Sequence, residues 1–422
     1  MVDASTAGEE PQPAGADGEN SIDFFDQDFQ KNPKGTFADI HKSGCPYAKG
    51  EKVDYYAIAG YDEIVKTCRD TDMWSSKWGP GLRYYSPDEA RALVNVDPPE
   101  HDWQVQIVRK AFAGPYIQAL EDGIRKFCGD RIDDFIAKGS CDIHAEYSVP
   151  LPLFVICELL GLDYEDAENE GFRDWVVRGT SATIIDPTDK EKYEDALHGH
   201  QQMVDYFVPR LKDWTARIER GEADPDENLI TRLVSADFNG TKLPENKILG
   251  FCCFLLGAGS TTTTTVMSNL MYRLAVHPEQ RRKLAEDPSL AAAAVEESLR
   301  VDAPVHGLFR TNNEEVDLGP FTLQPDTKVA LLWAAGNVDP SVWDRPLEFD
   351  ISRDMKDLRR NLAFGNGIHV CLGSSLARLE LKVAMEEFIK RIPDFELDGE
   401  PTISTPDVLS GFDALPLRWE TR

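Results

Sequence analysis

The stretch Phe364-Gly365-Asn366-Gly367-Ile368-His369-Val370-Cys371-Leu372-Gly373 decides how the rest of the chain is read. It places one cysteine directly before a helical pattern and surrounds it with small residues. Leu372, Leu376, Leu379 and Val383 recur at spacings of four, three and four, which predicts an amphipathic helix with its apolar stripe turned inward. Cys371 then stands at a helix N-terminus, where unsatisfied N–H groups and the positive end of the helix dipole favour thiolate over thiol. Gly365, Gly367 and Gly373 let the backbone turn tightly and approach both the sulfur and a flat ligand closely.

A lone cysteine at a helix start is by default a small buried hydrophobe. A structural zinc site needs further Cys or His ligands at short spacing, and His369 is the only one nearby. The whole run changes the reading: a Phe, three glycines, a His two residues before the Cys, and Leu-Gly after it. It closely resembles the cysteine-ligand loop of the cytochrome P450 superfamily of haem-thiolate monooxygenases, F-x-x-G-x-H/R-x-C-x-G, with no internal gaps. The resemblance implies that Cys371 is the axial ligand of a haem b iron. It also implies that Phe364, Gly365, His369 and Gly373 surround that cofactor.

The 422 residues allow one large core or two to three ordinary domains. With 41% hydrophobic and 28% charged residues the composition is that of a soluble globular protein. Lys+Arg 45 against Asp+Glu 74 leaves a net charge of −29. A chain so anionic repels phosphates, which argues against nucleic acid or anionic membranes as partners. No basic region followed by an apolar run stands at the N-terminus, so neither signal peptide nor membrane anchor is expected. Residues 1–20, rich in Ala, Gly, Pro and acids, read as a disordered tail, and residues 21–422, lacking repeats or linkers, read as a single domain. Ile248 to Tyr272 carries no charge, but its second half is crowded with Ser, Thr and Asn, which argues for a buried core helix over a lipid-facing span. The eight cysteines show no disulfide-framework spacing, so a reducing cytoplasm is the default.

Helical patterns dominate, with short strand-like pieces at Asp54–Ala59, handing over to a helix, and at Val329–Trp333. The fold class is mainly α with small β-sheets. From Thr71 to Asn95 a loop carries Trp74, Trp78, Leu82, Tyr84 and Tyr85. Such aromatics either pin the loop to the core or line an apolar pocket, and Trp78 and Tyr85 are taken as pocket candidates. Asp97-Pro98-Pro99-Glu100-His101 opens another helix. By resemblance His101 reaches a haem propionate, whereas the Arg usual in the family one turn later is Val105 here. Gln118 to Val234 reads as helix after helix. Residues 172–206, charged and interrupted by Pro187, are a candidate lid.

The longest helix starts at Leu243-Pro244-Glu245 and runs to about Val276, roughly 50 Å at ~1.5 Å per residue. In its middle stands Gly257-Ala258-Gly259-Ser260-Thr261-Thr262. Two glycines and a row of hydroxyls that can bond back to carbonyls predict a local distortion. The segment resembles the family's oxygen-binding groove, A/G-G-x-D/E-T. Thr262 falls on the family's alcohol, able to donate a hydrogen bond and help deliver protons, and Thr261 replaces its acid. Proton supply then runs through Ser260, Thr261 and water, or the reaction is slower or partly peroxide-driven. Ala258 is expected against the haem. Phe254 and Gly257 are expected to border the substrate.

Glu297-Ser298-Leu299-Arg300 puts two opposite charges on one helix face. Alone this is a commonplace surface pair. In its position between the Thr helix and the Cys371 loop it resembles the family's E-x-x-R, implying a structural cluster completed by Arg353. Arg310 is implied to reach a propionate together with His101 and His369, and Val305, His306 and Phe412 to approach the substrate. The function implied is reductive activation of dioxygen on haem iron to hydroxylate or oxidatively dealkylate a small apolar compound, in a cytoplasmic monomer. Electrons come from a ferredoxin and its NAD(P)H-dependent reductase, docking on Arg109, Lys110, Arg359, Arg360 and Arg378. Ordinary solvated basic residues are the competing reading of that patch. Two rival functions stay open: a peroxide-driven or oxidative-coupling haem-thiolate enzyme, and a non-catalytic haem sensor or carrier.

Overall fold

The structure, a computed structural model, describes residues 20–84, 93–112, 114–181, 189–238, 240–404 and 411–421. The protein is mostly helical, with small sheets. Four helices carry the residues singled out above: α1 (Glu100–Ala111), α2 (Glu245–Val276), α3 (Ala291–Val301) and α4 (Ser374–Arg391).

α2 runs unbroken for 32 residues among helices Pro150–Leu160, Phe172–Ser181, Lys190–Glu219 and Leu229–Ser235, as well as α3 and α4. It is long and apolar enough to cross a membrane, but over half of its apolar window is buried inside the protein. The distortion expected at Gly257–Thr262 is absent. Each hydroxyl of Ser260, Thr261, Thr262 and Thr265 donates to the carbonyl four residues back without opening the helix. Gly259 serves packing instead, since a Cβ there would lie 2.4 Å from Ile156 Cδ1 on the neighbouring helix.

A six-stranded sheet is built from β1 (Asn20–Ile22), β2 (Tyr47–Gly50), β3 (Tyr56–Ile58), β4 (Trp74–Ser75), β5 (Leu308–Asn312) and β6 (Lys328–Leu331). Their spatial order is β1-β2-β3-β6-β5-β4, with β6 parallel to β3 and antiparallel to β5. Side chains alternate across β6 as a strand requires. Val329 and Leu331 join an apolar cluster with Ile58 and Trp333, while Ala330 joins the main core. That main core draws on residues from Ile22 to Leu417.

Both sequence-predicted strands are present but shorter, at Tyr56–Ile58 and Lys328–Leu331, and Trp333 opens a short helix rather than ending a strand. The helical stretch from Gln118 to Val234 is interrupted by one strand, Ser140–Asp142. Asn20, expected in the tail, is buried and opens β1, where its side-chain amide donates to the carbonyls of Cys45 and Tyr47. The rest of that tail, Tyr85 and Pro187 lie outside the described residues.

Candidate active site

The Cys371 loop is shaped by two glycines whose φ of +72° suits no other residue well, Gly365 and Gly367. A Cβ on Gly367 would lie 2.1 Å from the Cys68 carbonyl oxygen, so this glycine lets the loop sit on helix Tyr61–Arg69. The loop closes when Cys371 N–H donates to Phe364 O at 2.9 Å. α4 starts at Ser374, three residues past the cysteine, with Gly373 as its cap, so Leu372 precedes the helix rather than lying on it.

Backbone N–H groups of Gly373 and Ser374 reach the sulfur, and the Arg378 guanidinium lies near it; all three favour the thiolate. Burial opposes them and is the larger effect, pushing the free thiol up. Accessibility and crowding differ here: the side chain is exposed, yet surrounding protein is dense enough to desolvate it. A reachable sulfur with helix N–H groups aimed at it suits a soft metal that takes over the thiol proton's place.

Three groups of basic character gather beside the loop. His101, at the start of α1, and His369 pack edge to face with ring centroids 4.5 Å apart. His369 Nε2 shares a hydrogen bond with Ser76 Oγ at 3.0 Å, and His101 Nδ1 approaches Asp102 Oδ1 at 3.2 Å. Arg310 projects from β5, 5% exposed, with its Nη1 donating to its own neighbour's carbonyl, Phe309 O. Among the described residues no carboxylate lies within ion-pair distance of it. Burial pushes the Arg310 guanidinium down. Burial first, then the neighbouring Arg310 and His101, push His369 down to about 2, so its imidazole is neutral. A buried guanidinium without a counter-ion calls for an anionic ligand, and two carboxylates of a flat cofactor would meet that demand.

Phe254, Ala258, Thr261, Thr262 and Thr265 share one side of the middle of α2, and each keeps some accessible surface. Thr262 Oγ1 donates to Ala258 O at 2.8 Å and Thr261 Oγ1 to Gly257 O at 3.1 Å. Gly257 and Ser260 are buried off that side, so neither the space attributed to Gly257 nor the proton-handling attributed to Ser260 lies on the accessible face.

Glu297 and Arg300 are fully buried and joined by two bonds of 2.7 and 2.8 Å. Arg353 Nε donates to Glu297 Oε1 at 3.0 Å, and the two guanidinium groups also donate to the carbonyls of Asn337, Asp344, Arg345, Pro346 and Glu348. The three residues thus come together, every charge met, and tie α3 to the segment preceding the Cys371 loop.

The sequence-predicted pocket residues fare less evenly. His306 is wedged edge-on between Phe29 and Phe37, with burial pushing it down to about 4, so it is a neutral core residue rather than a pocket wall. Phe412 packs at a tilt against Tyr272, ten residues past Thr262 on α2, with ring centroids 5.0 Å apart. Trp78 Nε1 donates to Asp326 Oδ1 at 2.7 Å, which gives the indole an anchoring role. Val305 is half-buried beside the Trp333 cluster. In the basic patch, Arg378 pairs with Glu296 at 2.5 Å and lies over the Phe364 ring at 4.3 Å. Arg109, Arg359 and Arg360 are exposed, and the Lys110 side chain lies outside the described residues. A cleft of about 730 Å³ lined by Lys126, Phe127, Phe154 and Tyr164 shares none of its lining with this site.

Sequence reasoning missed Glu380. It sits on α4, 3% exposed, accepts from Thr263 of α2 and leaves Oε2 unpaired; burial pushes its carboxyl up to about 8. A Glu nine residues after the cysteine, on the apolar face, was the available signal. Because the folded chain holds this proton well above the ordinary carboxyl range, Glu380's contribution to stability is fully present at acid pH and is lost as pH rises from about 4.5 toward about 8. Glu380→Gln should remove that loss. In urea titrations at pH 5 and pH 8, the variant's advantage should grow by more than about 1 kcal/mol at the higher pH; an advantage equal at both pH values would show that Glu380 is charged in the folded state.

Three comparisons bear on this site. The family profile described as Cytochrome P450 matches residues 84–412. The chain is 32% identical over 407 residues to the cytochrome P450 monooxygenase PikC of Streptomyces venezuelae, covering 93% of this chain and 92% of that one. It is 32% identical over 358 residues to the cyclomarin C epoxidase CymV of Salinispora arenicola, covering 84% and 88%. Among solved structures, cytochrome P450 CYP109Q5 from Chondromyces apiculatus superposes with a TM-score of 0.83 at 29% identity, covering 96% of this chain and 99% of that one.

Proposed function

Since this chain belongs to the cytochrome P450 family, haem-binding monooxygenases that incorporate one oxygen atom, we propose that it hydroxylates or oxidatively dealkylates a small apolar organic compound with electrons from a ferredoxin. The observation that carries the reading is the pairing of a reachable Cys371 sulfur with an accessible stripe on α2 that is apolar at Phe254 and Ala258 and hydroxylic at Thr261 and Thr262. A relative named for epoxidation of cyclomarin C agrees with an organic substrate.

When bound, haem supplies reductive activation of dioxygen. The chain's own residues do the rest. Cys371 would ligate the iron as thiolate, its charge steadied by the N–H groups of Gly373 and Ser374 and by Arg378. Arg310, His101 and His369 would hold the cofactor's carboxylates, charge-assisted at Arg310. This supports the propionate role although Val105 takes the place of the usual second Arg. At rest, the Thr262 hydroxyl proton is given to Ala258 O, so proton delivery into the cleft begins by exchanging that bond. Thr261 carries no charge and cannot act as an acid. Glu380 brings a carboxyl to the middle of this helix and holds its proton beside Thr263.

The test is a screen of terpenoids, steroids and aromatic ethers for substrate-induced spin-state shifts, followed by product analysis. A product one oxygen atom heavier, formed faster with ferredoxin, reductase and NAD(P)H than with hydrogen peroxide alone, is expected. Peroxide rates equal to the ferredoxin-driven rate would favour the second reading, a peroxide-driven or oxidative-coupling enzyme, which rests on the uncharged Thr261.

For the redox partner, the predicted patch keeps exposed Arg109, Arg359 and Arg360; Arg378, already paired, is withdrawn from that role. Reversing the charges of Arg359 and Arg360 should slow reduction by an acidic ferredoxin about 10-fold at low salt, with the difference shrinking as salt rises. Unchanged stopped-flow reduction would remove this docking face. A soluble cytoplasmic monomer is the setting that fits a ferredoxin-fed enzyme.

A further inference from the structure

Lys328 opens β6 on the same face as the core residue Ala330, where strand alternation calls for an apolar side chain. It is 1% exposed. Among the described residues no carboxylate pairs with it. Its Nζ instead donates to the carbonyls of Trp78 and Gly79, each at 2.9 Å, and stands 4.9 Å from the Tyr84 ring centre. These partners belong to the irregular segment Ser76–Tyr84, held in the same place by three other bonds. Trp78 Nε1 donates to Asp326 Oδ1 at 2.7 Å, Tyr84 OH to Asp326 O at 2.8 Å, and Phe309 N–H to Pro80 O at 2.8 Å. The other end of the segment is in the site, where Ser76 Oγ bonds His369.

We propose that Lys328 is a positioning residue: its ammonium fastens the strap Ser76–Tyr84 across β5, and its charge is linked to the negative charge held by Arg310, His101 and His369. The strap thereby tightens when the carboxylates of the cofactor are in place and loosens when they leave. The proposal rests on the haem reading of the site.

Arg310 lies on the rung next to Lys328, opposite Val329, and the two side chains point to opposite faces of the sheet. Its guanidinium repels the ammonium through a medium of low dielectric, with Arg83 of the strap adding to the effect. The other groups facing this corner are the Tyr84 ring, the Lys77–Asp326 pair at 3.9 Å, and Asp54, which acts on Tyr84. Burial, reinforced by Arg310 and Arg83, pushes Lys328 down to about 7. Two carboxylates set against Arg310 cancel that repulsion and keep the ammonium charged at neutral pH. Linkage then runs both ways: whatever fixes the ammonium also retains the anion.

The experiment uses the haem-loaded full chain and measures two things from pH 6.5 to 9.5: transfer of haem to excess apomyoglobin, and hydrogen exchange of Ser76–Tyr84 corrected for intrinsic rates. In the unaltered protein the transfer rate should climb at least 5-fold through one proton-linked step above neutral pH, with strap protection falling in parallel. Lys328→Arg, permanently charged, should remove the step and hold the slow rate throughout. Lys328→Met should release haem at least 10-fold faster at every pH and show a deprotected strap, while amides of Val329–Leu331 stay protected. A step unchanged in Lys328→Arg, or a flat profile in the unaltered protein, would overturn the proposal. So would loss of sheet protection in Lys328→Met, coupled with a slow rate in Lys328→Arg that still steps with pH. A thiolate-type spectrum in all three proteins separates failure of this proposal from failure of the haem reading.

Discussion

Cys371→Ser is expected to abolish monooxygenation, lowering product formation by roughly 10³-fold or more, about 4 kcal/mol of lost barrier reduction. The loop itself should survive, because its shape is set by Gly365 and Gly367 and by the Cys371 N–H to Phe364 O bond, none of which involves sulfur. What disappears is the thiolate and its electron donation. Product analysis with a ferredoxin system, alongside the carbon monoxide spectrum of the reduced variant, checks both halves. Loss of turnover with a normal far-ultraviolet spectrum is the predicted pair of results. Turnover retained within 10-fold would show that Cys371 is not the ligand.

Glu297→Ala should be the most damaging change away from the cleft. It leaves Arg300 with no exposed surface and no carboxylate, and takes a partner from Arg353 and from the Asp350 N–H. Breaking a buried pair by removing one side costs about 3–5 kcal/mol, because the remaining charge stays desolvated. Since α3 is thereby untied from the segment preceding the Cys371 loop, haem occupancy should fall together with stability. Haem content per protein and the urea midpoint measure this. Full haem occupancy in Glu297→Ala would contradict the structural role. The double replacement Glu297→Met with Arg300→Leu, which leaves no orphan charge there, should recover part of the stability that the single change loses.

The legible parts of this molecule were those where chemistry and backbone demand coincide in a short stretch. Around Cys371, glycines at forced conformations stand beside the cysteine, so the order of residues records the loop's shape. The Glu297–Arg300 pair was legible only through its place between two other motifs, since its spacing is shared by any surface helix. The lack of charge along α2 revealed a core helix, but not how its hydroxyls are used. They bond back to the helix without distorting it, a balance that no pattern of Thr and Gly reveals.

Side chains whose meaning depends on a distant partner were read poorly. The family resemblance assigned His306 to the pocket, but the aromatic pair that encloses it, Phe29 and Phe37, comes from about 270 residues earlier. Phe412 meets Tyr272 across a chain separation that sequence cannot bridge. Lys328 and Glu380 were overlooked for a related reason. A charged residue in a strand or helix defaults to solvent, and only the fold shows that these two are buried, with no countercharge among the described residues.

The optical spectrum of the purified, reduced protein under carbon monoxide tests the central claim most directly. A strongly red-shifted Soret band, the mark of thiolate ligation by Cys371, is the predicted result. A band at the position typical of histidine-ligated haem, or no haem band in well-folded protein, would contradict the account.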